Sequence, residues 1–509
     1  MLAGGCALVT ATACAQTYRF ASGGGAKPVA GIEPTIGVQE VLTDNVNLAP
    51  SDSKEGDLVT VLIPGLRLNE KSARASLTGT VNLAILLYAR TGGQNNQVLP
   101  DANLIGNVEA LEKFLYIEGA VSVQQTYFNP FGAQPVGLAS ATANRYQAAS
   151  YRASPYIKGP DKNEIKYELR DDNIWTNLNG APAQATRAYT NKLVGKVSQD
   201  PTPLGWSAEF ERTSDQFGDQ RPLVTELGRL RIPAQLDPQL RVSAIGGYEN
   251  DRYTFIRPRG PIYGGGADWH PSRTMTVKGN WEHRFFGASY DFDFDARTRL
   301  STWSVKASRN ITSYPQQLAS LPAGVDVQSI LNQVLLSRIP DQTERQSVIN
   351  QIISGAGLPA SLSSPLTLYA EQVYLQEQES ATAGILGARN ELLFTVFRTR
   401  TQPIEGAGVP LPPALGAFNS NTQRGANVVF DHALAPTVSF NVNALYMQTT
   451  ANAPFTGNTR QRSITGALVS QLSPKLIVQA GARYQMQSSD VASGYREAAL
   501  FAGLLYLLR

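Results

Sequence analysis

The feature that most constrains this chain is an alternation of apolar and polar residues, sustained over segments longer than the strands of water-soluble proteins. In Arg74 to Tyr88, positions 75, 77, 79, 81, 83, 85 and 87 read Ala, Leu, Gly, Val, Leu, Ile and Leu, whereas 74, 76, 78, 80 and 82 read Arg, Ser, Thr, Thr and Asn. Period two puts alternate side chains on opposite faces of a strand, so one face is oily and the other wet. The pattern recurs in Glu164 to Asp172, Leu240 to Tyr248, Thr274 to Arg284 and Ser301 to Arg309, and again from Leu476 to Gln487. Such segments run to about 10–14 residues, against about 5–6 for the usual strand. A strand tilted by about 45° needs roughly 9–11 residues to cross the hydrocarbon layer. The spacing predicts an all-β fold: a transmembrane antiparallel up-and-down barrel of about 22 strands, within a range of about 18–24.

A soluble sandwich or propeller also alternates, with its oily face turned to a core. Composition argues against that reading, because hydrophobic residues make up 42% of the chain and the oily faces are rich in Ala, Gly and Tyr. Those residues fill a packed core poorly but suffice against fluid acyl chains. A helical bundle is excluded because no stretch approaches the roughly 18 uninterrupted apolar residues of a spanning helix. With 44 basic and 41 acidic side chains the formal net charge is +3, which gives no warrant for a nucleic-acid partner.

Turn signals stand at Asn69-Glu70-Lys71, His270-Pro271-Ser272, Ala435-Pro436 and Ser473-Pro474-Lys475. Short turns fall mainly after even-numbered segments, and most longer polar connections, such as Thr43 to Asp57 and Thr401 to Asn421, follow odd-numbered ones. That parity is the one expected of an outer-membrane barrel with both termini in the periplasm. The exception is the short link at Phe286-Gly287 on the long-loop side. Between Thr312 and Tyr369 the alternation lapses, and Val327, Ile330, Leu331, Val334 and Leu335, then Val348, Ile349, Ile352 and Ile353, take helical spacing. A loop insertion over 312–369 with two short helices is expected there, either as a plug or docking element or as a lid on the rim.

Residues 1–15 are uncharged and end on Ala13-Cys14-Ala15, the small residues a signal peptidase accepts. The expected organisation is therefore a signal peptide over 1–15, a Gly-rich lead over 16–31 and a barrel over 32–509. A lipoprotein reading through Cys6 or Cys14 competes, but Ala11-Thr12-Ala13 lacks the Leu expected three residues before the Cys.

Alternation aims Lys166, Glu168, Arg170, Lys278, Glu282, Arg284, Asp291, Asp293, Asp295, Lys306 and Arg483 at the lumen. Asp291, Asp293 and Asp295 share one face at about 7 Å intervals, as a cation-attracting ladder, a calcium site or simply a wet wall offset by Lys278, Arg284 and Lys306. Tyr127, Trp206, Tyr248, Trp281, Tyr446 and Tyr484 lie toward segment ends, where interfacial girdles sit. Enzymatic chemistry is poorly supplied. The three histidines, His270, His283 and His432, have no metal-binding spacing, and His283, inside a strand, is the best candidate for a base. Gly264-Gly265-Gly266 lacks the Lys-Ser/Thr of a phosphate loop and suits strand curvature.

Several fragments resemble, in order, one known family. They are Glu33-Pro34-Thr35-Ile36-Gly37-Val38-Gln39-Glu40 with Thr43-Asp44-Asn45-Val46-Asn47-Leu48-Ala49-Pro50, then Tyr151-Arg152-Ala153-Ser154-Pro155-Tyr156, Tyr167-Glu168-Leu169-Arg170 and Gly247-Tyr248-Glu249. The densest part is Arg284-Phe285-Phe286-Gly287 followed by Arg297-Thr298-Arg299 and Thr302-Trp303-Ser304. Together they resemble the outer-membrane proteins associated with the PEP-CTERM/exosortase sorting system, whose members often sit with exopolysaccharide synthesis genes. The resemblance implies a barrel in the outer membrane of a Gram-negative bacterium, serving envelope polysaccharide and carrying no mappable catalytic residue. The end of the chain departs from the pattern: Leu504-Leu505-Tyr506-Leu507-Leu508 is followed by Arg509, where such barrels close on an aromatic residue read by the barrel-assembly machinery.

The expected function is a conduit for hydrophilic solutes or exported exopolysaccharide, without cofactor, metal or catalysis. Its expected partners are outer-membrane lipid, the barrel-assembly machinery and periplasmic export components. The alternative is a plugged barrel acting as a surface anchor or assembly platform.

Overall fold

The computed structural model describes residues 31–159, 165–179, 187–319, 372–406, 419–473 and 475–508. Its first eight strands are β1 (Gly31–Thr43), β2 (Asp57–Lys71), β3 (Ala75–Tyr88), β4 (Gln97–Leu111), β5 (Leu115–Tyr127), β6 (Arg145–Lys158), β7 (Ile165–Asn179) and β8 (Arg187–Gln199). They are followed by β9 (Trp206–Phe217), β10 (Leu223–Asp237), β11 (Leu240–Asn250), β12 (Arg259–Ser272), β13 (Met275–Arg284), β14 (Gly287–Arg297) and β15 (Ser301–Ser313). The last seven are β16 (Val373–Leu386), β17 (Asn390–Pro403), β18 (Asn421–Ala435), β19 (Val438–Ala451), β20 (Asn458–Ser473), β21 (Leu476–Ser489) and β22 (Tyr495–Leu507). Two helical turns interrupt the described chain, α1 (Gly92–Asn95) and α2 (Tyr314–Ala319).

Every strand pairs antiparallel with its chain neighbours, and β1 closes on β22 from Thr35 opposite Leu507 to Thr43 opposite Ala499. The result is a closed 22-stranded antiparallel barrel, the predicted fold. Closure leaves no sheet edge, which is what allows a β-protein to sit in hydrocarbon with all its backbone groups paired.

Which face is concave follows from ion pairs that skip strands. Arg229 on β10 reaches Glu282 on β13 at 3.0 Å, and Glu118 on β5 takes Arg170 of β7 at 2.8 Å. Neighbouring strands are about 4.8 Å apart, so a contact across two intervening strands forms only where side chains converge. The opposite, convex face carries the exposed apolar residues, among them Leu83, Leu87, Phe210, Leu230, Ile232, Phe394, Ile464, Leu468, Leu500 and Leu504. A polar lumen inside an apolar wall is the sidedness of a membrane barrel.

One end of the barrel carries short turns, such as residues 72–74, 112–114, 238–239, 273–274 and 436–437; the other carries the longer connections, including 44–56, 128–144 and 251–258. The predicted exception is present, shifted by one residue: Phe285 and Phe286 link β13 to β14, and Gly287 takes φ of +94°. The insertion expected from Thr312 starts later. Strand β15 keeps pairing through Ser313 opposite Val373, because a wall strand continues wherever its neighbour offers hydrogen bonds. Beyond α2, the helices expected near 327–335 and 348–353 lie outside the described residues, as do the segments 1–15 and 16–30 expected to be a signal peptide and a lead, and Arg509.

The two faces of β3 give the cleanest test of this sidedness. An arginine at Leu83, on the convex face, is expected to destabilise the folded protein by ~2–4 kcal/mol in urea titrations in lipid vesicles, whereas one at Thr80, on the lumen face, costs less than about 1 kcal/mol.

Candidate functional site: the charged lumen and its inward loops

Charged groups of alternating sign line the concave face from β5 to β15. On one side, Glu118 receives Arg152 at 2.6 Å and Arg170 at 2.8 Å, while Arg170 also binds Asp172 at 2.7 Å. Further round, Lys192 pairs with Glu211 at 2.8 Å. Across β12 to β15 one lumen row is in direct register: Asp268 opposite Lys278, Lys278 opposite Asp293, and Asp293 opposite Lys306. Opposite charges facing each other across strands stabilise the sheet. The Lys306–Asp293 separation is 4.0 Å and both side chains remain solvent-accessible, so the row leaves charge for a passing solute.

Glycine makes the corner at β10–β13 possible. Arg231 on β10 donates to Asn280 Oδ1 on β13 at 2.7 Å, passing over β11 and β12. A Cβ at Gly266 would stand 2.3 Å from that oxygen and 3.1 Å from the Arg231 guanidinium and would displace this hydrogen bond, while one at Gly264 would stand 2.0 Å from the Trp281 carbonyl oxygen, main chain that cannot move aside. The Gly264-Gly265-Gly266 run therefore leaves room for close strand approach and for this lumen hydrogen bond.

Two fragments 35 residues apart, at Glu249 and Arg284, meet at the loop end of this corner. Arg284 binds Glu249 Oε2 through Nε at 2.9 Å and Nη2 at 2.7 Å, and the Phe285 amide donates to Oε1 at 2.6 Å. Both charged side chains are almost fully enclosed, 6% and 0% exposed, and the guanidinium lies 5.0 Å from the Phe286 ring centroid. A buried pair of this kind tolerates loss of neither partner.

Against the opposite wall, loops fold into the lumen around a second buried carboxylate. Glu497 on β22 is fully enclosed and accepts from Thr43 at 2.8 Å, Ser140 at 2.7 Å, Arg483 at 3.0 Å and, through its second oxygen, Gln485. Ser140 belongs to the 128–144 connection. That connection is also held by Val136 N to Gln485 Oε1 at 2.9 Å, by Thr459 Oγ1 to Phe131 O at 3.3 Å and by Ala141 N to Val46 O at 2.8 Å. Val46, Ala139, Val59, Val61, Leu86 and Tyr88 pack beneath it.

A third inward group forms near α2, where the Tyr314 ring packs at a tilt against Phe217, centroids 5.7 Å apart, and Gln316 donates to Asp215 at 2.9 Å. Tyr253, from the 251–258 connection, joins the same cluster and donates to Asp251 Oδ2 at 3.0 Å. Asp251 is buried beside Glu249; burial first, and the neighbouring carboxylate after it, push its carboxyl up to about 6.

The remaining predicted residues fall as follows. Lys166 and Glu168 lie on the lumen face near the turn end. There the Lys166 ammonium stands 2.5 Å from Asp200 and holds that carboxyl below its ordinary range. Asp291, Asp293 and Asp295 share the lumen face of β14, opposite Asn280, Lys278 and Thr276, and among the described residues no group of three His, Cys, Asp or Glu forms a metal site. Tyr248, Trp281, Tyr446 and Tyr484 are exposed on the convex face, and Trp206 opens β9 with its indole donating to Gln199 at 2.9 Å. Tyr127 departs from the girdle reading: its hydroxyl donates to Pro135 O at 2.9 Å, so it anchors the inward connection. His283 stacks on Tyr263 at 5.0 Å on the same convex face, without a serine or carboxylate partner among the described hydrogen bonds. Sequence reasoning missed Glu118, Arg229, Asp268 and Glu497. In β22 both faces read apolar around Glu497, so alternation gave no signal there.

No family model matches the chain, and no curated protein matches it. Among solved structures, the FrpB iron transporter from Neisseria meningitidis (F3-3 variant) aligns at 6% identity over 94% of this chain and 81% of that one, with a TM-score of 0.49. The siderophore receptor PirA from Acinetobacter baumannii aligns at 8% identity over 95% and 81%, TM-score 0.43, and Pseudomonas aeruginosa OccK2 (OpdF) at 8% over 94% and 98%, TM-score 0.36.

Two expectations follow. Arg483→Ala, which strands the Glu497 charge, is expected to cost ~3–5 kcal/mol in urea unfolding and to speed protease cleavage within 128–144; Glu497→Gln in the same chain restores part of the loss. Because the folded Asp251 binds its proton more tightly than the unfolded one, its stabilising contribution is full below the unfolded pKa of about 3.9 and is lost as pH rises through about 6. Urea titrations between those limits should show this slope in the wild type and a smaller one in Asp251→Asn.

Proposed function

We propose that the chain is an outer-membrane barrel of a Gram-negative bacterium, with its termini and short turns in the periplasm, and that it conducts hydrophilic solutes through its lumen. The observation that carries this reading is the solvent-accessible row Asp268, Lys278, Asp293, Lys306, which lines the concave face with alternating charge inside an apolar wall. A field set across the passage by facing acids and bases orients polar solutes without binding them tightly. Exported exopolysaccharide is the cargo that the family resemblance favours, delivered by periplasmic export components. The conduit reading calls for no cofactor and no catalytic residue, and insertion falls to the barrel-assembly machinery.

The inward connections favour a second reading, a plugged barrel that anchors or assembles envelope components. Glu497 ties 128–144 to the wall too firmly for a loose lid, and α2 occupies the lumen from another side.

Planar bilayers separate the two. A conduit gives discrete conductance steps, and replacing Asp291, Asp293 and Asp295 together by Asn lowers its cation-over-anion preference by about twofold. A silent membrane containing correctly folded protein would favour the plugged anchor.

A further inference from the structure

The convex wall from β17 to β22 carries arginines just past its apolar band, on the side of the long connections. Arg398 stands directly opposite Arg424, Arg424 opposite Gln448, and Gln448 opposite Arg460, so three of four adjacent outward positions in one row are cationic. One step toward the turns, Arg462 faces Tyr446 and Met486, and Met486 faces Arg496. Below these rows the same face is oily, with Phe394, Val396, Ile464, Leu468 and Leu500 exposed.

Like charges directly opposite on paired strands repel, and desolvation beside a membrane makes this worse. The local compensation is thin. Arg398 has Glu379 at 3.4 Å, with both side chains nearly half exposed, and among the described residues Arg424 has only the neutral Gln448 oxygen at 3.0 Å. Arg462 lies 5.8 Å from the Tyr446 ring centroid, and Arg424, Arg460, Arg462 and Arg496 make no salt bridge among the described residues. Nearby acids are engaged elsewhere: Glu377 with Arg309 at 2.9 Å, Asp490 with the Asn458 amide, and Asp44 with Lys54 at 2.8 Å. The mixed outward row on the other side differs, since there Arg212 meets Glu226 at 3.1 Å.

We infer that this arginine ladder is a binding site for a phosphate-bearing lipid headgroup of the outer leaflet. Guanidinium groups take phosphate oxygens bidentately, and the row from Arg398 to Arg460 spans about 14 Å at the strand spacing, enough for a large headgroup whose acyl chains lie down the oily face beneath. The inference rests on the proposed orientation, in which the long connections face outward. It does not depend on whether the lumen conducts, because these side chains lie on the convex face.

The test uses the full chain folded in detergent micelles and native mass spectrometry, with diphosphoryl lipid A as probe and its dephosphorylated form as control. The expected result is retention of the phosphorylated lipid with at least tenfold weaker binding of the dephosphorylated one. At least a tenfold loss is also expected in the triple variant Arg398→Gln, Arg424→Gln, Arg460→Gln, and none in Arg212→Gln with Glu226→Gln. If the triple variant does not fold, as judged by heat-dependent gel mobility, Arg424→Gln and Arg460→Gln singly are each expected to lose about threefold. Equal binding of both lipids, or unchanged binding in the folded arginine variants, overturns the inference. Bilayer conductance of the same variants is expected to match wild type, so failure of the lipid site is distinguishable from failure of the conduit reading.

Discussion

Every part of this structure depends on one constraint: a backbone amide in hydrocarbon has no water to bind, so the chain must pair all its strands with one another. The register between β1 and β22 meets that requirement, and it fixes the rest. Once the sheet is closed, a strand residue has only two possible surroundings, lipid or lumen, and parity decides which. A slip of one residue would exchange the faces along a whole strand. Long pairing, few helical turns and an apolar band on the convex face are consequences of that choice rather than separate features.

The concave face shows what the enclosed space allows. Side chains there converge, so pairs form between strands that are not neighbours, as in Arg229 with Glu282 and Arg231 with Asn280. Two carboxylates, Glu249 and Glu497, go further and lose their water altogether, each offset by one arginine and by hydrogen-bond donors from connections at the loop end. These buried pairs tie loops to wall. The exposed row from Asp268 to Lys306 has the contrary character, accessible and loosely paired, which is why it supports the conducting reading while the buried pairs support a narrowed passage.

Much of the architecture was legible in the residues. Alternation in β3, β7, β13 and β21 gave the faces directly, and connection lengths gave the two ends of the barrel. Legibility failed where one side of a strand is covered by folded-in chain. On β22, Ala499 and Phe501 are inward and apolar because loops pack on them, so the oily pattern appears on both faces and hides Glu497 between them. Tyr127 misled for the same reason: an aromatic at a strand end reads as a girdle residue whether it meets lipid or, as here, the underside of an inward connection. Partnerships such as Glu118 with Arg170, or Glu249 with Arg284, depend on curvature, and a linear pattern contains no information about which strands bend toward each other.

The central claim is that lipid, not a dry interior, covers the apolar face, and quenching by brominated acyl chains measures that contact directly. With Cys6 and Cys14 replaced, a single cysteine carrying a fluorophore is placed at Leu83 or at Thr80, neighbouring rows on opposite faces of β3. The fluorophore at Leu83 should be strongly quenched in vesicles of brominated lipid and the one at Thr80 scarcely at all. Equal quenching at the two sites, or none at Leu83 in correctly folded protein, would contradict the account.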